Sequence, residues 1–382
     1  MSTGNSKEMH LAAVPDKPLE DYVIPDPYEN WIKREGIQHI VDYAFEDLKT
    51  LELGAWERKG GSGAVISIPN EQLRNDSHVI EIKPGGKSEP EHHLYEEVVY
   101  VLSGLGATTV WMDEKRKRTF EWNEGSVFAL PLNAWYQHFN GSGSKPARYI
   151  AMTSAPPMMR LFRDVEFIWN NPVMFKSRYL DEEDYFSGKG KLYNHRIWES
   201  NFVPNAATMG LYSWKERGAG STNAMLEMAH HSIRPHISEF PVGTYKKAHQ
   251  HDPGAHLLLL RGTSGYSLLW KEGAEPRMAP WKEGAMVIVP WDDCIHQHFN
   301  TGATPARYLA MAAGFHGLYK PGWTPKAVSK KEGGHQIEYE DEDPAIHKLF
   351  AAELKKHGAP CRMKAFIPWC TGEVGPTNER DT

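Results

Sequence analysis

The chain has 382 residues, enough for two or three average domains and a large buried core. Its 40% hydrophobic and 24% charged residues are those of an ordinary globular protein, and a formal net charge of -6 offers nothing to nucleic acid or an anionic membrane. Three cysteines with no Cys-x-x-Cys pair, no apolar run near the ~20 residues of a membrane helix, and no basic-then-apolar leader give the expectation of a reduced, cytoplasmic protein.

Residues 1–50 are expected to form an N-terminal arm, polar and proline-containing over its first twenty or so positions. A helix is expected around Tyr28–Gly36, opened by Asp26 or Pro27, and an amphipathic segment, Ile40–Leu51, should lead into the first of two barrels. That there are two follows from an internal repeat. Trp56-Glu57-Arg58-Lys59-Gly60 returns as Trp214-Lys215-Glu216-Arg217-Gly218, and His78, Gly85 and Gly104 return as His236, Gly243 and Gly262, all 158 residues on. Gln137-His138-Phe139-Asn140 returns as Gln297-His298-Phe299-Asn300 at an offset of 160, and Pro146–Met152 returns as Pro305–Met311 at 159. Single-residue drifts of this kind belong in hairpin loops, where insertions are tolerated.

Within each copy, short runs such as Val98–Leu102, Ala107–Trp111 and Ser126–Leu130 alternate with Gly, Pro and Asn turns, the pattern of an all-β barrel. Leu257–Leu260, Tyr266–Trp270 and Ala285–Val289 answer them in the second copy. The division expected is an arm (1–50), barrel 1 (51–157), a linker (158–208) whose aromatic and charged stretch Phe162–Tyr193 wraps between barrels, barrel 2 (209–315) and a tail (316–382). The tail should carry a helix with Asp343 as N-cap and Pro344 at its first position. Ile346, Leu349, Phe350 and Leu354 share one face, for a barrel or a neighbouring subunit, and Gly358 ends the helix.

The chemistry concentrates in the second copy. His249-Gln250-His251 puts two imidazoles on one face of a strand, and His296-Gln297-His298 follows after strand and turn signals. Imidazole is the commonest metal ligand, and converging neutral imidazoles suit a divalent first-row metal. The first copy has Glu91, His93 and Tyr136 where the second has His249, His251 and His296, and it keeps Glu97 opposite Ala255. Two of three imidazoles are thus missing there, so a structural or dimerising barrel with a refilled interior is preferred for copy 1 over a metal site on Glu91, His93, Glu97 and Tyr136; His92 should point away from its interior by alternation. His78 and His236 match across the repeat, as do Arg148 and Arg307, which suggests structural roles. Cys294 is expected to pack near the pocket, with Trp291-Asp292-Asp293 as a turn before it.

Gly-x5-His-x-His followed by a strand and Gly, then Gly-x5-Pro followed by His and Asn, resembles the two motifs of the cupin superfamily. The resemblance implies two cupin barrels (double-stranded β-helices, or jelly rolls), with short helices in arm and tail. Ala255 at the usual glutamate position implies a three-histidine site on His249, His251 and His296. Over most of its length the chain is similar to bicupin dioxygenases of the gentisate and 1-hydroxy-2-naphthoate group, although in most of that group the metal lies in the first copy. This implies a homo-oligomeric oxidoreductase using Fe(II), with Mn, Ni or Zn as alternatives, that opens the ring of a hydroxylated aromatic acid with O2. Decarboxylation, isomerisation, hydrolysis and non-catalytic small-molecule binding remain open beside it. An anionic substrate needs a fixed cation. Arg261 could serve it if its side chain points inward, or it could end its strand in solvent. His298 could be a fourth ligand, a proton shuttle or a core histidine, and its match to His138 favours the last two.

Overall fold

In a computed structural model, residues 24–68, 75–193, 196–251, 254–290, 293–312 and 327–372 are described. The first twenty-three residues of the expected arm, and Trp291 and Asp292 of the expected turn, lie outside them. The helix Pro27–Glu35 has Asp26 as N-cap, its carboxylate accepting from the Tyr28 amide, and Gly36 closes it in the left-handed region at φ 67°.

The repeat is a repeat of structure. In the first copy an eight-stranded sheet faces a three-stranded one made of Leu105–Trp111, Arg118–Asn123 and Trp135–Asn140. In the second a nine-stranded sheet faces Gly265–Trp270, Arg277–Trp281 and Ile295–Asn300. The architecture is therefore two all-β barrels. Alternation along Ala255–Arg261 shows how they stack. Leu257 and Leu259 join the core inside barrel 2, while Leu258 and Leu260 join the core continuous with barrel 1. A hydrogen bond of 2.6 Å between Ser77 and His256 crosses the same junction.

Ile40–Leu51 does not simply lead into barrel 1, which corrects the expectation. Gln38–Val41 pairs in parallel with barrel 1, but the next strand, Ala44–Phe45, pairs with Met286–Val289 of barrel 2. Its repeat mate Phe202–Val203, from the stretch read as linker, pairs in turn with Val127–Leu130 of barrel 1. The two barrels thus exchange edge strands. Arg148 and Arg307 lock the exchange. Arg148 donates to the carbonyls of Leu48 and Leu51 and pairs with Glu81; Arg307 donates to those of Ala206 and Met209 and pairs with Glu239. Two further short helices, Ala155–Phe162 and Val165–Trp169, follow barrel 1 in the chain, the first tied to the arm by Arg160 and Asp26 and the second to barrel 1 by the Leu94 amide on the Ile168 carbonyl.

The tail helix, Pro344–His357, has the expected N-cap Asp343 and closes at Gly358. Phe350 and Leu354 cover Tyr245, Tyr266, Leu268 and Phe299 on the outer face of the small sheet of barrel 2. Among the described residues no helix is long and apolar enough to cross a membrane.

Candidate metal centre

Ile295–Asn300 is regular and wholly buried, with His296 and His298 on its inward face and Gln297 on the other. His249 lies opposite His296, and their backbones exchange hydrogen bonds of 3.1 and 2.8 Å. The stretch carrying His249 is held on its far side by the tail, since Gln250 donates to the His335 carbonyl and Ile337 to that of Ala248. His249, His251 and His296 converge: one ring nitrogen from each lies within 4.8 Å of the others. His251 is only half-buried and marks the side open to solvent.

Nδ1 of His249 faces the Lys247 carbonyl at 3.0 Å, which fixes the tautomer and leaves Nε2 for a ligand bond. Burial first, then neighbouring cations and imidazoles, holds His249, His296 and His298 well below the ordinary imidazole pKa. Neutral rings with available lone pairs are the form a metal requires. Three converging imidazoles are a donor set that fits a divalent first-row ion.

His298 lies outside the trio. Its Nδ1 is 2.8 Å from the Ser267 hydroxyl, which also accepts from the Trp281 indole. Barrel 1 repeats this arrangement with His138, Thr108 and Trp122. Arg261 follows a bulge between Leu259 and Arg261 that breaks the strand's alternation, and its side chain is exposed at the strand end. It is not brought to the histidines. Cys294 is buried in the apolar core of barrel 2.

Two cations that the motifs did not single out stand in that interior. Lys246, 1% exposed, donates to Ser238 Oγ at 2.5 Å and to the Tyr308 hydroxyl at 2.9 Å. Burial, then Arg217, pushes its ammonium well below the usual lysine range. Arg217 lies over the Trp214 ring at 4.8 Å and donates to Gln336. Among the described residues, the charged groups that act most on His236, His249, His296 and His298 are Lys246, Arg217, Arg196 and other imidazoles. A signal for Arg217 was present in the repeat, because its mate is also basic: Lys59.

In barrel 1 that mate fills the corresponding space. Lys59, 1% exposed, pairs with Glu91. Tyr136 donates within reach of Glu91 at 2.8 Å and Glu97 at 3.0 Å, and His93 Nε2 lies 3.2 Å from Glu97. Burial would raise the Glu97 pKa, but the His93 hydrogen bond and Lys59 hold it far below the usual carboxylate range. His92 turns away, onto Trp135 and Asn133.

Residues 78–153, in the first barrel, match the family model described as Cupin domain. No curated protein matches the chain. Similar solved structures include one concerned with the substrate binding mode and reaction specificity of oxalate decarboxylase, 14% identical over 72% of this chain and 78% of that one, with a TM-score of 0.49. An alanine variant of the Bacillus subtilis oxalate decarboxylase gives the same identity, coverage and score. A third structure, from work on the Mn(II) centres of that enzyme, has the same identity and coverage with a TM-score of 0.48.

Proposed function

We propose that this chain is a metal-dependent cupin enzyme with a single reaction centre, in barrel 2, that converts a small carboxylate-bearing molecule. The contrast between the two interiors carries this reading. Barrel 1 supplies its own carboxylates, Glu91 against Lys59 and Glu97 beside His93, whereas the described residues of barrel 2 gather imidazoles, Lys246 and Arg217 and leave the anion to be supplied by a ligand. His249, His251 and His296 would hold the ion, with Fe(II) the metal implied by the resemblance and Mn, Ni and Zn as alternatives. When bound, such an ion polarises an oxygen of the substrate and offers open positions beside it.

The protein's own groups supply the rest. Lys246 donates to Ser238 and Tyr308, and a bound carboxylate would favour the charged form that burial disfavours and accept the third proton of its ammonium. Arg217, steadied by Trp214 and Gln336, offers a planar fork to the same group. His298, oriented by Ser267, stands beside His296 with a ring separation of 5.4 Å and can hold or move a proton on Nε2.

Two finer chemistries use this arrangement. Loss of CO2 from an acid needs the anchored carboxylate, the ion and a proton for the carbon that loses CO2, which His298 can deliver, and no oxidant. Ring cleavage of a hydroxylated aromatic acid needs O2 as well. Anaerobically purified, metal-loaded protein should be screened against hydroxylated aromatic acids and short dicarboxylates in an oxygen electrode. O2 uptake in proportion to substrate lost identifies the dioxygenase, and CO2 release under argon identifies the decarboxylase. Acids that bind tightly and are never turned over would replace the enzyme with a binding protein. Assembly with further copies of the chain belongs to the same reading, through exposed apolar side chains such as Leu161, Phe162 and Phe167. Light scattering at the monomer mass would remove that part.

A further inference from the structure

The tail holds a second set of convergent donors, apart from either barrel interior. His347 comes from the helix Pro344–His357, Cys361 from the stretch after Gly358, and Cys370 from beyond the short turn Met363–Ala365. All three are buried, and one donor atom from each lies within 4.8 Å of the others. Among the described residues only this trio and the barrel trio meet that condition. The two sulfurs are 3.5 Å apart and unbonded. Two thiolates held tetrahedrally at ~2.3 Å from one zinc stand about 3.8 Å apart, whereas a disulfide needs about 2.05 Å. Two buried thiols alone would pack as small hydrophobes and need no imidazole between them. Here the imidazole is brought in and oriented. Nδ1 of His347 lies 3.3 Å from the Tyr245 hydroxyl, which donates to Glu342 at 2.6 Å.

We propose that His347, Cys361 and Cys370 bind a zinc-class divalent cation that clips the tail onto barrel 2. Binding displaces the two thiol protons, so the ion meets two thiolates and one neutral imidazole, and a water completes the tetrahedron. Met363, Ile367 and Phe350 share one buried apolar cluster with the two cysteines, so the ion would stand against the packed core of the tail. The clip acts on the strand that leads to the barrel histidines. A Cβ at Gly243 (φ 68°) would run into the Pro360 carbonyl, and Arg362 donates to the Gly243 carbonyl at 2.9 Å.

Cobalt separates this site from the barrel centre, because only thiolate ligands give an intense near-ultraviolet thiolate-to-Co(II) charge-transfer band. The full chain loaded with Co(II) should show that band. It should persist in His296→Ala, which lacks a barrel ligand, and vanish in Cys370→Ser. In His296→Ala grown with zinc, about one Zn(II) per chain should remain after gel filtration and leave when two thiols are titrated with a mercurial. The proposal fails if wild-type protein shows no band with all three thiols free, or if its mass is two hydrogens low from a Cys361–Cys370 disulfide. Because wild type decides, a Cys370→Ser chain that does not fold leaves the test intact.

Discussion

His296 and His298 share a strand and an interior, yet their partners differ. The first meets His249 and His251, and the second is held by Ser267 as His138 is held by Thr108 in the other copy. His296→Ala should therefore abolish retention of the barrel metal. His298→Ala should keep most of it, with affinity lowered at most ~10–100-fold and turnover reduced. Elemental analysis after gel filtration checks both, and the reverse outcome would exchange their roles. The His-x-His spacing made these residues legible because strand periodicity alone sends both imidazoles inward. It could not do the same for Arg261, where one bulged residue reverses the parity, nor for Lys246, which no motif marks. A lysine buried for function leaves a signature of its own. Lys246→Met should hold or raise the melting temperature, because an ammonium no longer has to be desolvated, while the KM for a carboxylate substrate rises about tenfold or more.

The helix Pro344–His357 was legible almost to the residue, since cap, first-turn proline and closing glycine are local signals. The elements that proved misleading were Ala44–Phe45 and Phe202–Val203, because two-residue strands carry no periodicity and their partners lie in the other barrel. Between the tail and the ligand strands stands Glu342, which accepts from Tyr245 and from Gln297 at 2.6 Å each. Burial raises its pKa from 4.5 to about 7, against those two hydrogen bonds, with Asp343 adding to the rise. An unfolded chain releases this proton near 4.5 and the folded one holds it until about 7. Unfolding between those values therefore releases a proton, and this group's contribution to stability falls as pH rises through the window. At about 1.4 kcal/mol per unit the loss is on the order of 3 kcal/mol. Urea midpoints at about pH 5 and about pH 8 should show the slope in wild type and a flatter profile in Glu342→Gln.

For the whole molecule, duplication and the all-β class could be read from the repeat, but the division into arm, barrel and linker could not show that each barrel's edge is finished by the segment before the other. The asymmetry between the copies predicts a single barrel-bound ion. Lys59→Met should leave the metal content unchanged while costing about 3–5 kcal/mol, as removal of one partner from a buried pair does; denaturant melts and elemental analysis together test this. The same pair has a historical consequence. If the ancestral unit carried imidazoles in both copies, the first has since become hard to restore. Changing Glu91 to an imidazole strands the ammonium of Lys59, removing Lys59 strands Glu91 and Glu97, and replacing Tyr136 takes a donor from both carboxylates. Each single step back passes through a less stable protein. A lineage that made this exchange would be held to it by folding alone, even if a second reaction centre became useful again.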